Sequence, residues 1–435
     1  MPRLTGIDTV YPCSRPGRRA SCRGIMGKCV ALVEWNWIGH TPTFFAFFVL
    51  ALEELGADVL AICPHPGETR ETLAQLRLQR GLGPSREGQI TYLQMEIPAR
   101  RFRVLRPRRI SLIDWSIRHF RSIEAAARKW EEASGKRLDL IFFTCMFDSD
   151  FRWFQLTQPF WSLPWAGFYV ETLSQLKPGQ FSFGSQHPPH PEKIFRGSLC
   201  KAIFAPDVAS APPLAAITGK PVVVLPNLTD ERLPAPASGR SLENGLKQFA
   251  DGRPVVGLLG HLRKSKGLLP LLAVSQLPAM SKVCFALGGE VAWSHYSPDE
   301  TETIRRVLAG GANLWKHLQR IPDEEELNSL LSACNVIYAA YLDFPNSSNI
   351  MTKAAFFKKP VIVSDGHLMA DEVRRFNLGE IIPQGDAPAV AGAILKITRN
   401  PEAWVAENQP RWDDYHRDHS YERFQEAMRG LLAGL

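Results

Sequence analysis

The chain has 435 residues, too many for one ordinary hydrophobic core and suited to two domains of roughly 200 residues each, and a composition 45 % apolar and 22 % charged can fill both. Its longest strongly apolar run, Phe44 to Leu52, falls far short of the ~20 residues a bilayer span needs, so no membrane crossing is expected. Most of the net charge of +7 sits in residues 1–28, where six basic residues face the single acid Asp8; the rest of the chain is nearly balanced and carries no footprint for nucleic acid.

Residues 1–25 are rich in Arg, Pro, Ser and Gly and lack the apolar stretch of a secretory signal. They read as a disordered basic leader, with Met26 directly before the first strand-like run. From there short apolar runs alternate with helical ones. Strands are expected at 29–35, 57–64, 89–97, 138–146, 164–170, 202–206 and 221–227, with helices at 43–56 and 111–133. Most of these runs are continuous rather than alternating, the pattern of strands buried on both faces of a parallel sheet. The polar stretch 229–253 reads as a linker. A second series follows at 254–260, 282–289, 317–321, 335–341, 360–365 and 379–383, with helices at 324–334 and 348–359. The order predicts an α/β chain of two Rossmann-like, doubly wound domains, 26–228 and 254–399, and C-terminal helices over 400–435 that pack back on the first.

Five of the eight cysteines (Cys29, Cys63, Cys145, Cys284 and Cys334) lie in or beside strand runs, where a reduced thiol acts as a small hydrophobe, and a reducing cytoplasm fits. The eleven histidines form no HExxH, and no metal is expected. The arginines from Arg100 to Arg109 offer a peripheral contact for anionic lipid or a phosphorylated acceptor, a solvated connector being the plainer reading.

In open α/β sheets ligands bind where strand ends feed helix N-termini. Four such loops stand out. Gly260–Gly267 (GHLRKSKG) combines glycines for close backbone approach with Arg263, Lys264 and Lys266 for a diphosphate; its bland reading is a basic turn. Pro345–Ala355 places Ser347 or Ser348 at a helix N-cap, with freed amides facing an anion, although capping alone explains such residues in most proteins. Gly288 and Gly289 end a third strand, where a plain turn is commoner. In the first half Gly39 and His40 end a strand, and His40 could serve as base or hydrogen-bond partner, though a lone histidine is more often structural. The absence of GxGxxG after the first strand counts against a nicotinamide dehydrogenase, and the absence of GxxxxGK[ST] removes P-loop chemistry.

Together the second-half loops resemble the family 4 class of GT-B glycosyltransferases, best over residues 254–400. Members carry G-R-L-x-x-x-K-G after a strand, and here Gly260, Leu262, Lys266 and Gly267 match while His261 stands in place of the arginine. The later family motif places two carboxylates eight residues apart; Pro345 and Lys353 occupy those positions. A family-like bacterial variant, S-S-G-V-L-x-K-A-A before G-K-P-V-I-V-S, matches at Ser347, Ser348 and Lys353.

The resemblance implies a retaining, metal-independent transfer of sugar from a nucleotide-diphosphate donor, with no cofactor, to a carbohydrate or lipid-linked glycan. It implies catalytic roles for Lys266, His261 and His40. Gly260, Arg263, Gly288, Gly289, Ser347, Ser348, Asn349 and Lys353 would bind the donor, and Gly39 and Asp148 would face the acceptor. Alternatives are a non-catalytic nucleotide-sugar-binding protein, favoured by the missing carboxylates, and a sugar-nucleotide epimerase.

Overall fold

The computed structural model describes residues 27–37, 41–96, 108–147, 161–170, 191–233, 241–321 and 324–435, without the side chains of 108–113 and 191–193. The candidates Gly39, His40 and Asp148, the Arg100–Arg109 side chains and the leader lie outside the described residues.

The first half builds a seven-stranded parallel sheet from β1 (Cys29–Val33), β2 (Asp58–Cys63), β3 (Ile90–Gln94), β4 (Leu140–Met146), β5 (Trp165–Tyr169), β6 (Cys200–Ala205) and β7 (Val222–Val224). Their order is β3-β2-β1-β4-β5-β6-β7. Every residue of β1, β2 and β5 is buried, as continuous apolar strands require when helices cover both faces. The helix Thr41–Glu54 covers one face and meets the terminal helix Tyr421–Ala433, with Phe48 and Phe424 rings 4.8 Å apart. Burying a side chain such as Phe424 contributes about 2–3 kcal/mol and fastens the chain end here. The long helix Arg108–Ser134 covers the other face through Phe120 and Ile123.

The second half builds a six-stranded parallel sheet from β8 (Val255–Leu259), β9 (Cys284–Gly288), β10 (Leu314–His317), β11 (Val336–Ala339), β12 (Val361–Ser364) and β13 (Gly379–Ile382), ordered β10-β9-β8-β11-β12-β13. In both sheets the order reverses after the first strand, so each half has a switch point: between β1 and β4, and between β8 and β11.

Three stretches differ from the sequence reading. β10, expected over 317–321, begins three residues earlier. The Asn313 side chain donates to the carbonyls of Ser275 and Met280 and its own carbonyl accepts from Phe285 N, which starts the strand at Leu314. Within the expected linker, Ser241–Ala250 is a helix whose Leu246 and Ala250 join the second core. The C-terminal segment divides between the halves. Trp404 and Tyr415 sit in the second core, where Trp404 Nε1 donates to Glu380 (2.7 Å) and the Tyr415 hydroxyl to Glu372 (3.2 Å). Only Tyr421–Ala433 returns to the first.

Candidate functional site

The β8–β11 switch point is built from three strand ends. β8 stops at Leu259, and Gly260 follows with φ +89°. The next loop approaches it as closely as backbone allows: Gly260 N donates to Gly288 O (2.8 Å), and a Cβ on Gly289 would collide with the Gly260 carbonyl. Gly289 has φ +134°, a conformation that disfavours any side chain. These two glycines leave a smooth backbone floor.

Over that floor lies Lys266, on the single 3₁₀ turn Lys264–Lys266 that precedes the helix Leu268–Ser275. Its Nζ donates to Leu259 O (3.2 Å) and lies 5.5 Å from the Tyr341 ring centroid, within cation–π range. Among the described residues no carboxylate forms an ion pair with it. Lys264, two residues earlier, pairs with Glu300 at 2.6 Å, so its charge is already answered. Arg263 and His261 are exposed on the same loop. Partial desolvation, and then the Arg263 and Lys266 charges, hold the His261 imidazole below its ordinary pKa against the pull of Glu290, which keeps it neutral near pH 7.

The third strand end is that of β11. The turn is tied to it twice, by Leu342 N donating to Ser265 O (2.7 Å) and by the Tyr338 hydroxyl donating to Gly267 O (3.1 Å). The loop ends at the helix Asn349–Phe356. Ser348 occupies the N-cap position with extended backbone, yet its hydroxyl makes no cap bond and lies 3.4 Å from the Tyr341 hydroxyl. The Ser348 side chain therefore caps none of the first amides, although its carbonyl accepts from Met351 N (2.9 Å); open amides at a helix start are the condition for anion binding. Asn346 Oδ1, in the same loop, is buried without a hydrogen-bond partner among the described residues.

The structure thus gathers Gly260, His261, Arg263, Lys266, Gly288, Gly289 and Ser348 around one switch point, while the Ser347 hydroxyl is buried against Tyr415 of the second core. Two further candidates on the same helix turn away from the switch point. Asn349 Oδ1 accepts from the Thr229 hydroxyl (2.5 Å) and its Nδ2 donates to Leu228 O (3.3 Å). Lys353 is buried, and its Nζ contacts Asp230 O, Asn328 Oδ1 and Glu324 Oε2 at 2.6–2.8 Å. Tyr341, which bridges Lys266 to Ser348, escaped the sequence reading. Its place as the last residue of the strand expected over 335–341, at the switch point, was the available signal.

Solved structures share this architecture over nearly the whole chain. Anabaena HepE in complex with UDP and glucose superposes with a TM-score of 0.63 at 14 % identity, covering 94 % of this chain and 100 % of its own. Sucrose-phosphate synthase from Thermosynechococcus elongatus gives 0.61 at 16 % identity, covering 93 % and 98 %. The fold is GT-B. WaaG, a glycosyltransferase involved in lipopolysaccharide biosynthesis, has the same arrangement with a TM-score of 0.59, 12 % identity and coverage of 94 % and 100 %. No protein-family model matches the chain, and no curated protein is significantly similar to it in sequence. Among the described residues, no helix of this GT-B chain is long and apolar enough to cross a membrane, and no group of three or more His, Cys, Asp or Glu could hold a metal.

Proposed function

We propose that the protein is a glycosyltransferase that moves a sugar from a nucleotide-diphosphate donor to a carbohydrate or lipid-linked acceptor, with retention and without a metal. The observation that carries this reading is Lys266, which lies over the Gly260–Gly289 floor with no carboxylate partner among the described residues, beside the Asn349 helix start. Charge builds on the diphosphate as the bond from the anomeric carbon to its oxygen breaks. The Lys266 ammonium and the Arg263 guanidinium are placed to stabilise it, with the helix amides behind them. The new bond forms from an acceptor hydroxyl, whose proton passes to the departing phosphate oxygen, so the chain need supply no base. Neutral His261 donates or accepts a hydrogen bond at the same loop. Gly39, His40 and Asp148 belong in this proposal to the acceptor side, and the Arg100–Arg109 arginines to contact with the cytoplasmic membrane face.

The complex of Anabaena HepE with UDP and glucose, on the same fold, supports the choice of ligand class. Pro345 and Lys353, at the two carboxylate positions of the family motif, favour one rival, a protein that binds nucleotide sugar without turning it over.

Thermal-shift titration with UDP, GDP, ADP and their sugar conjugates tests the proposal. One nucleotide series should stabilise the protein, by about 2.7 kcal/mol at one hundred times its Kd, and the effect should vanish in Lys266→Ala. Absence of any shift would remove the nucleotide reading. A shift without donor turnover would select the non-catalytic rival.

A further inference from the structure

The segment that leaves β7 toward the second half is held from Asn227 to Arg232. Thr352 Oγ1 donates to Asn227 O (3.0 Å) and Asn349 Nδ2 to Leu228 O (3.3 Å), while the Thr229 hydroxyl donates to Asn349 Oδ1 (2.5 Å). Asn328 Nδ2 donates to the carbonyls of Asp230 (2.9 Å) and Arg232 (2.8 Å), and Glu231 meets His416 Nε2 at 2.6 Å. Thr229 and Asp230 are buried. Against the first half, Thr43, Phe44 and Phe47 close on Leu228–Asp230, Glu324 and Asn349 around a cavity of about 10 Å³, the space of roughly one water.

Lys353 stands at the centre of this seam and is only 3 % exposed. Its ammonium donates to Asp230 O (2.8 Å) and Asn328 Oδ1 (2.6 Å) and pairs with Glu324 Oε2 (2.8 Å). An ammonium has three donors, and three acceptors are in place. The lysine also orients Asn328: by engaging its oxygen, it leaves the amide nitrogen facing the two strap carbonyls. A carboxylate at position 353 would meet the Asp230 carbonyl and the Glu324 carboxylate, both acceptors, and would be repelled by them.

We infer that Lys353 is a positioning residue that fastens the crossover strap Asn227–Arg232 to the Asn349–Phe356 helix. The same helix presents its first amides to the diphosphate loop, one turn from Lys353. The lysine therefore sets how the first half is seated against the donor site, a consequence that rests on the transferase reading, whereas the fastening itself does not. The departure from the family pattern at position 353 is then a change of role, from ligand contact to fastener.

Lys353→Met keeps the length and removes the charge and donors. Hydrogen exchange on the full chain should show peptides spanning 228–233 exchanging about tenfold faster or more, with β8 and β9 still protected. The nucleotide that stabilises the wild-type protein should bind the variant within about twofold of its original Kd, and in donor turnover kcat should fall while donor KM holds. Lys353→Gln, which retains one donor group, is read by the same criteria should the methionine variant not fold. Unchanged strap exchange would overturn the inference, and so would a loss of nucleotide affinity comparable to that of Lys266→Ala. If the wild-type protein binds no nucleotide, the transferase reading fails while strap exchange still decides the role of Lys353.

Discussion

At the open end of β8, Lys266 donates one hydrogen bond to a backbone carbonyl and faces no carboxylate among the described residues. At the seam behind the Asn349 helix, Lys353 is buried with three acceptors. Both lysines belong to the same half, and both sit where the family resemblance places donor contacts. A charge answered by the protein itself has little left for a ligand, and breaking such a buried pair leaves its partners uncompensated. A charge held at a strand end over bare backbone is available to an incoming anion. The partner list of each lysine, rather than its place in a motif, separates a binding group from a fastener.

The comparison can be broken at several points. The largest effect is expected from Lys266→Ala, which should reduce donor turnover about 100- to 1,000-fold in a steady-state assay, as loss of a group stabilising transition-state charge does. Next comes Gly289→Ala. Its Cβ would collide with the Gly260 carbonyl at a φ of +134°, so denaturant melting should show a loss of about 2–4 kcal/mol and the Gly260–Gly289 floor should distort with it.

A smaller effect belongs to the seam. A hydrogen bond to Glu231 raises the His416 pKa, so the stabilisation is full below the ordinary histidine pKa, provided Glu231 is ionised, and is lost as pH rises through the raised value. His416→Gln should therefore cost most near pH 6 and little by pH 9. The loss in pH-dependent melts should be under about 1 kcal/mol, because both partners are about a third exposed. The smallest effect is expected from Lys264→Ala. That lysine is itself exposed and paired with half-buried Glu300, and its removal should leave nucleotide affinity and melting temperature unchanged. A large loss of affinity there would show that charge anywhere on the loop suffices, and the contrast built on Lys266 would fail.

Much of this was legible in the sequence. Continuous apolar runs such as 29–35 and 57–64 mark strands because burial on both faces leaves no room for alternation. Glycines immediately after such runs mark the switch point. The helix Ser241–Ala250 hid among polar residues, although Leu242, Leu246 and Phe249 already stand at helical spacing. The position of β10 was obscured because it depends on one buried asparagine, Asn313, bonded to two distant carbonyls. The surroundings of Lys353 were not legible at all. Its three acceptors come from residues 230, 324 and 328, and only the folded crossover brings them to one ammonium.

Calorimetric titration of the nucleoside diphosphate selected by thermal shift, into wild-type protein, Lys266→Ala and Lys353→Met, tests the central contrast most directly. The account predicts a loss of affinity of about tenfold or more for Lys266→Ala, the scale of one charge-assisted contact, and an affinity within about twofold of wild type for Lys353→Met. Equal losses in the two variants, or a loss confined to Lys353→Met, would contradict it.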